Sequence, residues 1–215
     1  MTRMRFLARA VCPLLILTLF TGCSTPPAIT TTSPEAPVPT HYVTYTAEDS
    51  VFSISYPPGG WGPEQDMLAE SESAIKALIA SRAANKPLEQ ASLLFVGGLP
   101  PSYLPTIIVL VEPLTGGITT QEQLVMAKIQ SFKAAGANFK ELVRTDTIID
   151  GRQATIIEYS ATLGGTPRHD VVSFFIDGGE IWSVTSAALQ QNYQQYKDDL
   201  YHIARSLKVK GKRWG

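Results

Sequence analysis

The sequence predicts an α+β fold in which one antiparallel sheet of about seven or eight strands carries helices on both faces, an α/β/α sandwich. Three observations lead there. The pairs Asp150-Gly151, Gly164-Gly165 and Gly178-Gly179 fall between alternating apolar runs of about ten residues, and each pair tolerates the positive φ angles that two-residue hairpins require. Counted outward from Gly178-Gly179, Ile176 faces Ile181 and Phe175 faces Trp182. That puts Val172, Phe174 and Ile176 on one side of the sheet and Val171, Phe175 and Trp182 on the other. Both sides are then apolar and both need cover. Three segments with helical periodicity, near residues 63–84, 119–135 and 190–207, supply it.

The chain opens on residues 1–22, where Arg3, Arg5 and Arg9 precede the apolar run Val11–Phe20. That run has ten residues and is interrupted by Pro13, whereas a membrane-spanning helix needs about 20. A basic flank, a short apolar core and a small residue before the cut fit a cleaved signal. Leu19-Phe20-Thr21-Gly22-Cys23 resembles a bacterial lipobox. The resemblance implies cleavage between Gly22 and Cys23 and a lipid on Cys23; the alternative is an ordinary secretory signal. Phe20 stands where a lipobox more often has leucine. Ser24, rather than an aspartate, follows the cysteine, which resembles outer-membrane sorting in two-membrane bacteria. The implied address is the cell membrane or outer membrane, facing outside the cytoplasm.

Residues 23–40 form the expected tether. Residues 24–40 hold five prolines and five threonines, too little apolar surface to offset the entropy of ordering them. As an extended polyproline-like spacer at ~3.1 Å per residue, they reach at most about 50 Å. Removing the leader also removes three arginines and no acidic residue, so the 18 basic and 19 acidic residues of the whole chain become 15 and 19. A mature charge near −4 argues against nucleic acid as a partner. Cys12 leaves with the leader and Cys23 is consumed by lipid, so residues 41–209 contain no thiol for a disulfide, a zinc site or a nucleophile.

Residues 41–209, followed by a basic tail at 210–215, read as a single domain. His41–Ala47 and Val51–Tyr56 alternate as a hairpin around Glu48-Asp49-Ser50, and Pro57-Pro58-Gly59-Gly60 stops the second strand before Trp61. A helix from Pro63 to about Ala84 carries Leu68, Ile75, Leu78 and Ile79. Ser92–Val96 and Thr106–Val111 are strands flanking the proline-rich loop from Gly97 to Pro105. Thr119 and Glu122 read as a capping box for a helix to about Ala135, which Gly136 ends. The hairpin meander follows from Phe139. A last helix over Gln190–Leu207 has Tyr193, Tyr196, Leu200, Ile203 and Leu207 along one face.

The stretch Phe52-Ser53-Ile54-Ser55-Tyr56-Pro57-Pro58-Gly59-Gly60-Trp61, with Ser206-Leu207 at the far end, resembles the PsbP-like family across roughly residues 42–209. The resemblance implies a helix, a long β-meander and a closing helix, and a docking or accessory role without a shared catalytic signature. One extra glycine before Trp61 and a longer segment near 64–90 depart from the family pattern.

One constellation has the residue types for chemistry. A two-residue turn at Gly164-Gly165 sets Ser160 opposite His169 with Glu158 diagonal on the same face, the components of an activated nucleophile. Against it, Ser160 is mid-strand, without the strained turn or oxyanion donors that serine nucleophiles use. The plainer reading is a cross-strand polar pair. His41, His169 and His202 have no metal-ligand spacing, so no metal or cofactor is expected. Trp61, Tyr103 and Leu104 are candidate partner contacts on turns and loops. The resulting expectation is a monomeric, lipid-anchored, non-catalytic docking module for a membrane or envelope protein complex. A small-molecule or lipid carrier is the second reading, and a hydrolase using Ser160, His169 and Glu158 the third.

Overall fold

Two-residue glycine turns dictate the register of the whole meander. In the computed structural model, which describes residues 41–58, 65–84, 92–98 and 105–210, both central residues of all three pairs have positive φ, from 49° at Asp150 to 82° at Gly165. This is the turn whose twist matches paired strands. The strands β5 (Ala137–Ile149), β6 (Arg152–Leu163), β7 (Thr166–Asp177) and β8 (Glu180–Leu189) therefore pair in sequence. Ile176 faces Ile181 and Phe175 faces Trp182, as the turn spacing requires. Two further strands, β3 (Ser92–Gly98) and β4 (Thr106–Pro113), add to β8, giving six antiparallel strands in the order β3-β4-β8-β7-β6-β5.

Both faces of this sheet are core. On one, α2 (Gln121–Ala135) lays Leu124, Val125 and Ile129 over Ile157, Tyr159, Val172 and Phe174. On the other, α1 (Gln65–Ala83) and α3 (Tyr193–Arg205) bring Ile75, Leu78, Leu200 and Ile203 to Val109, Ile156, Val171, Phe175 and Trp182. Adjacent residues Phe174 and Phe175 are both 0 % exposed, which only a sheet covered twice allows.

The expectation of one sheet with seven or eight strands needs correction. Among the described residues there are nine strands in two sheets. The hairpin of β1 (Val43–Thr46) and β2 (Phe52–Tyr56) pairs with a short β9 (Lys208–Val209) instead of extending the large sheet. An added edge strand would leave Phe52 and Ile54 at the rim. As part of the cover they are buried, with the Phe52 ring 6.0 Å from that of Trp182. The two ends of the PsbP-like resemblance meet here: Ser55 N–H donates to Ser206 Oγ at 2.9 Å, and Ser206 Oγ lies 3.1 Å from Ser55 O.

One cation fastens β9 to the large sheet. Arg152 bonds the Asp150 carboxylate in the β5–β6 turn, Asp177 Oδ2 at 3.1 Å before the β7–β8 turn, and Val209 O at 3.2 Å. Val209 N–H returns a bond to Asp150 Oδ2 at 2.9 Å. Local boundaries also shift: β3 continues through Gly97-Gly98, expected as the start of a loop, and α3 stops at Arg205 rather than Leu207. The last helix begins as a short 3-10 turn at Gln190–Asn192, and the capping box of α2 is Thr120 with Gln123, one residue beyond the expected Thr119 and Glu122. Gln123 Oε1 still accepts from Thr119 N at 2.8 Å, so both threonines serve the cap.

Phe174→Ala and Phe175→Ala should each destabilise the protein by about 3–5 kcal/mol in urea titrations, because each empties a filled core site. A cost near the roughly 0.5 kcal/mol of a surface substitution, for either one, would show that its face is not a core.

Candidate functional site

The expected register brings part of the polar constellation together. Ser160 pairs with His169 across β6 and β7, and Glu158 lies one step diagonal on the face beneath α3. His169 Nε2 and Glu158 Oε1 are 2.8 Å apart. An ionised carboxylate only accepts, so Nε2 carries the proton of that bond. The other carboxylate oxygen accepts from the Tyr201 hydroxyl. The Tyr193 ring lies flat on the imidazole, with centroids 3.4 Å and planes 2° apart, and Lys197 Nζ sits 5.9 Å from the Tyr193 centroid.

Tyr193 and Tyr201 come from α3, eight residues apart and thus on one side of that helix. Tyr193 was legible as a packing residue. Tyr201 was not, because its neighbour Leu200 occupies the apolar face and nothing local marks a tyrosine whose hydroxyl reaches a strand. Ser186 Oγ adds a second tie at the same seam, 2.8 Å from Leu200 O and 3.1 Å from Val171 O.

This geometry holds a helix to a sheet. A catalytic imidazole uses one nitrogen for the orienting carboxylate and the other for the nucleophile. Here Nε2 serves Glu158 while the buried Nδ1 bonds no group, and Ser160 takes no part in the bond. His169 is 4 % and Glu158 5 % exposed, so the pair is buried. Burial pushes the Glu158 carboxyl up. The Tyr201 and His169 hydrogen bonds, the Tyr193 hydroxyl and the charge His169 carries when protonated outweigh that and hold it below its ordinary value of 4.5. Burial and the same carboxylate drive the Tyr193 and Tyr201 hydroxyls upward, so both stay protonated across the physiological range. Among the described residues no three metal-ligating side chains converge.

Cys23, Gly22, Trp61, Tyr103 and Leu104, the other residues singled out by the sequence, lie outside the described residues.

No family model matches the sequence, and no curated protein matches it. Among solved structures the chain is similar to cyanobacterial PsbP of Synechocystis, at 13 % identity and a TM-score of 0.49, covering 83 % of this chain and 98 % of that one. It is similar to PA94 of Pseudomonas aeruginosa, a protein of unknown function, at 11 % identity and a TM-score of 0.42, covering 74 % and 90 %. A third likeness is to LpqN of Mycobacterium tuberculosis, a protein involved in cell envelope biogenesis, at 12 % identity and a TM-score of 0.37, covering 81 % and 82 %. These three TM-scores all lie below 0.5.

Glu158→Gln should lower stability at neutral pH by about 1–3 kcal/mol, the cost of weakening hydrogen bonds to a buried charge. Because the folded carboxyl sits below 4.5, its contribution is complete above that pH and is lost as pH falls through the folded value. Urea titrations from pH 7 to 3 should therefore show a shallower acid decline for Glu158→Gln than for the wild type. Parallel declines would contradict the clasp.

Proposed function

We propose that this protein is a lipid-anchored, extracytoplasmic module that works through protein contacts at a membrane surface and does no chemistry of its own. The observation that carries the reading is Leu19-Phe20-Thr21-Gly22-Cys23, placed after a short basic-flanked apolar run and before a proline- and threonine-rich spacer. Each buried acyl CH₂ contributes about 0.8 kcal/mol and one chain binds only marginally, so firm anchoring takes the two or three chains that bacterial lipoproteins carry. No helix among the described residues is long and apolar enough to cross a membrane.

The folded domain supports this role from the chemical side. The Glu158–His169 pair, whose residue types resemble a hydrolase centre, is taken up in holding α3. The carrier reading asks for an apolar chamber between sheet and helix. The cavity beside α2, about 340 Å³, is instead lined by Gln121, Glu122, Asp146, Thr147 and Gln153 as well as apolar groups. That wall mixes carboxylates and amides with apolar groups, which suits a partner carrying both charge and apolar side chains. The protein is proposed to be monomeric and to meet a protein partner rather than nucleic acid.

Cys23→Ala should move the protein from the membrane fraction to the soluble fraction while leaving its urea midpoint unchanged. Fractionation of cells expressing each form measures it, and continued membrane retention of the variant would overturn the anchor.

A further inference from the structure

The surface around the N-terminal half of α2 carries apolar side chains that neither core uses. Met126 and Ile148 are each 50 % exposed, the highest values among the exposed large apolar side chains of the described residues. Met126 is on α2 and Ile148 on β5, and Glu122 shares a cavity with each of them. The cavity on the Ile148 side, about 340 Å³, has Val125 and Ala154 among its lining residues, both buried in the cores, together with Asp146. The cavity on the Met126 side, about 350 Å³, is bounded by the glycine turn Gly116-Gly117 and by Ile118.

Of the two acidic groups here, Asp146 is held in place through Thr155. Gln121 Nε2 donates to Thr155 Oγ1 at 3.2 Å and to Phe174 O at 3.1 Å, and Thr155 Oγ1 donates to Asp146 Oδ1 at 2.8 Å. Glu122 and Met126, four residues apart, form one stripe along the helix surface. Neither cavity is lined by a lysine or arginine. Lys128 on α2 is paired with Glu112, and Arg144 on β5 with Glu141. The surface thus alternates an apolar group, a carboxylate and an apolar group, with a second carboxylate held at its edge.

We propose that this surface is where the partner docks, and that the partner presents a lysine or arginine flanked by large apolar side chains. The apolar groups settle on Ile148 and Met126 and the cation between Glu122 and Asp146. Charge complementarity selects this occupant over a second copy, since the processed chain is itself net acidic. Lys210, the last described residue, is itself engaged: its N–H bonds Val51 O at 3.0 Å, and its Nζ bonds Asp49 O at 3.2 Å. The proposal rests on the docking reading above and names its surface.

The test places a benzophenone amino acid at Met126, at Ile148 or, as a control, at Val43 on the small sheet of the full-length protein in its own cells. After irradiation, mass spectrometry identifies the peptide joined at each position. Adducts at 126 and 148 are expected on a segment of another protein that has a lysine or arginine between large apolar residues. Glu122→Lys should cut their yield by about tenfold or more, because it sets like charges against each other. Glu122→Gln, which leaves the helix start less perturbed, should cut the yield by a smaller factor. Adducts at 126 and 148 to a second copy, to residues 211–215 of the same chain or to lipid alone would overturn the proposal. So would a yield indifferent to both Glu122 variants. Protein adducts at 43 alone would overturn this surface and leave the docking reading standing, whereas none at any position would overturn both.

Discussion

A sheet whose strands are apolar on both sides cannot stay exposed to water on either, and this constraint shapes the rest of the molecule. Val171 and Val172, or Phe174 and Phe175, are sequence neighbours that point into opposite cores. Each core needs its own cover. The helix α2 is enough over one face, while the opposite face takes α1, α3 and the small sheet together. The small sheet is therefore better understood as part of a lid than as a second unit. Its Phe52 and Ile54 are buried in the same core as Trp182.

Apolar contact alone does not fix where such a cover sits, since it is non-directional. Polar groups at the seams supply direction. Glu158, His169, Tyr193 and Tyr201 set α3 against β6 and β7. Arg152 gathers two hairpin turns and the C-terminal strand. The Ser55–Ser206 bonds join β2 to the end of α3. A buried carboxylate is costly unless its oxygens are satisfied, and both oxygens of Glu158 are. In the serine–histidine–glutamate pattern, the glutamate and histidine bond each other and Tyr201 of α3, and so help to fix that helix on the sheet.

Much of this was legible because two-residue turns convert sequence into register. Gly164-Gly165 alone sets Ser160 opposite His169, and Gly178-Gly179 sets Phe175 opposite Trp182. The division into two sheets was not legible, because β2 alternates in the same way whichever sheet it joins. Nor was β9, since Lys208-Val209 is too short to show a period of two. The capping residue was ambiguous by one position because Thr119 and Thr120 each precede a suitable side chain by three residues. The α2 surface was not legible because nothing in the sequence marks Met126 and Ile148 as exposed; their exposure beside two carboxylates distinguishes them.

The proposed anchor and the proposed docking surface belong to one account. On the proposed reading, a lipid on Cys23 and a spacer reaching up to about 50 Å would let one module sample a broad area above a bilayer. Purification from the membrane fraction followed by intact-mass and N-terminal peptide spectrometry tests the anchor directly. The account predicts a mature chain that begins at Cys23 and carries two or three acyl chains; a chain beginning elsewhere, or an unmodified Cys23, would contradict it.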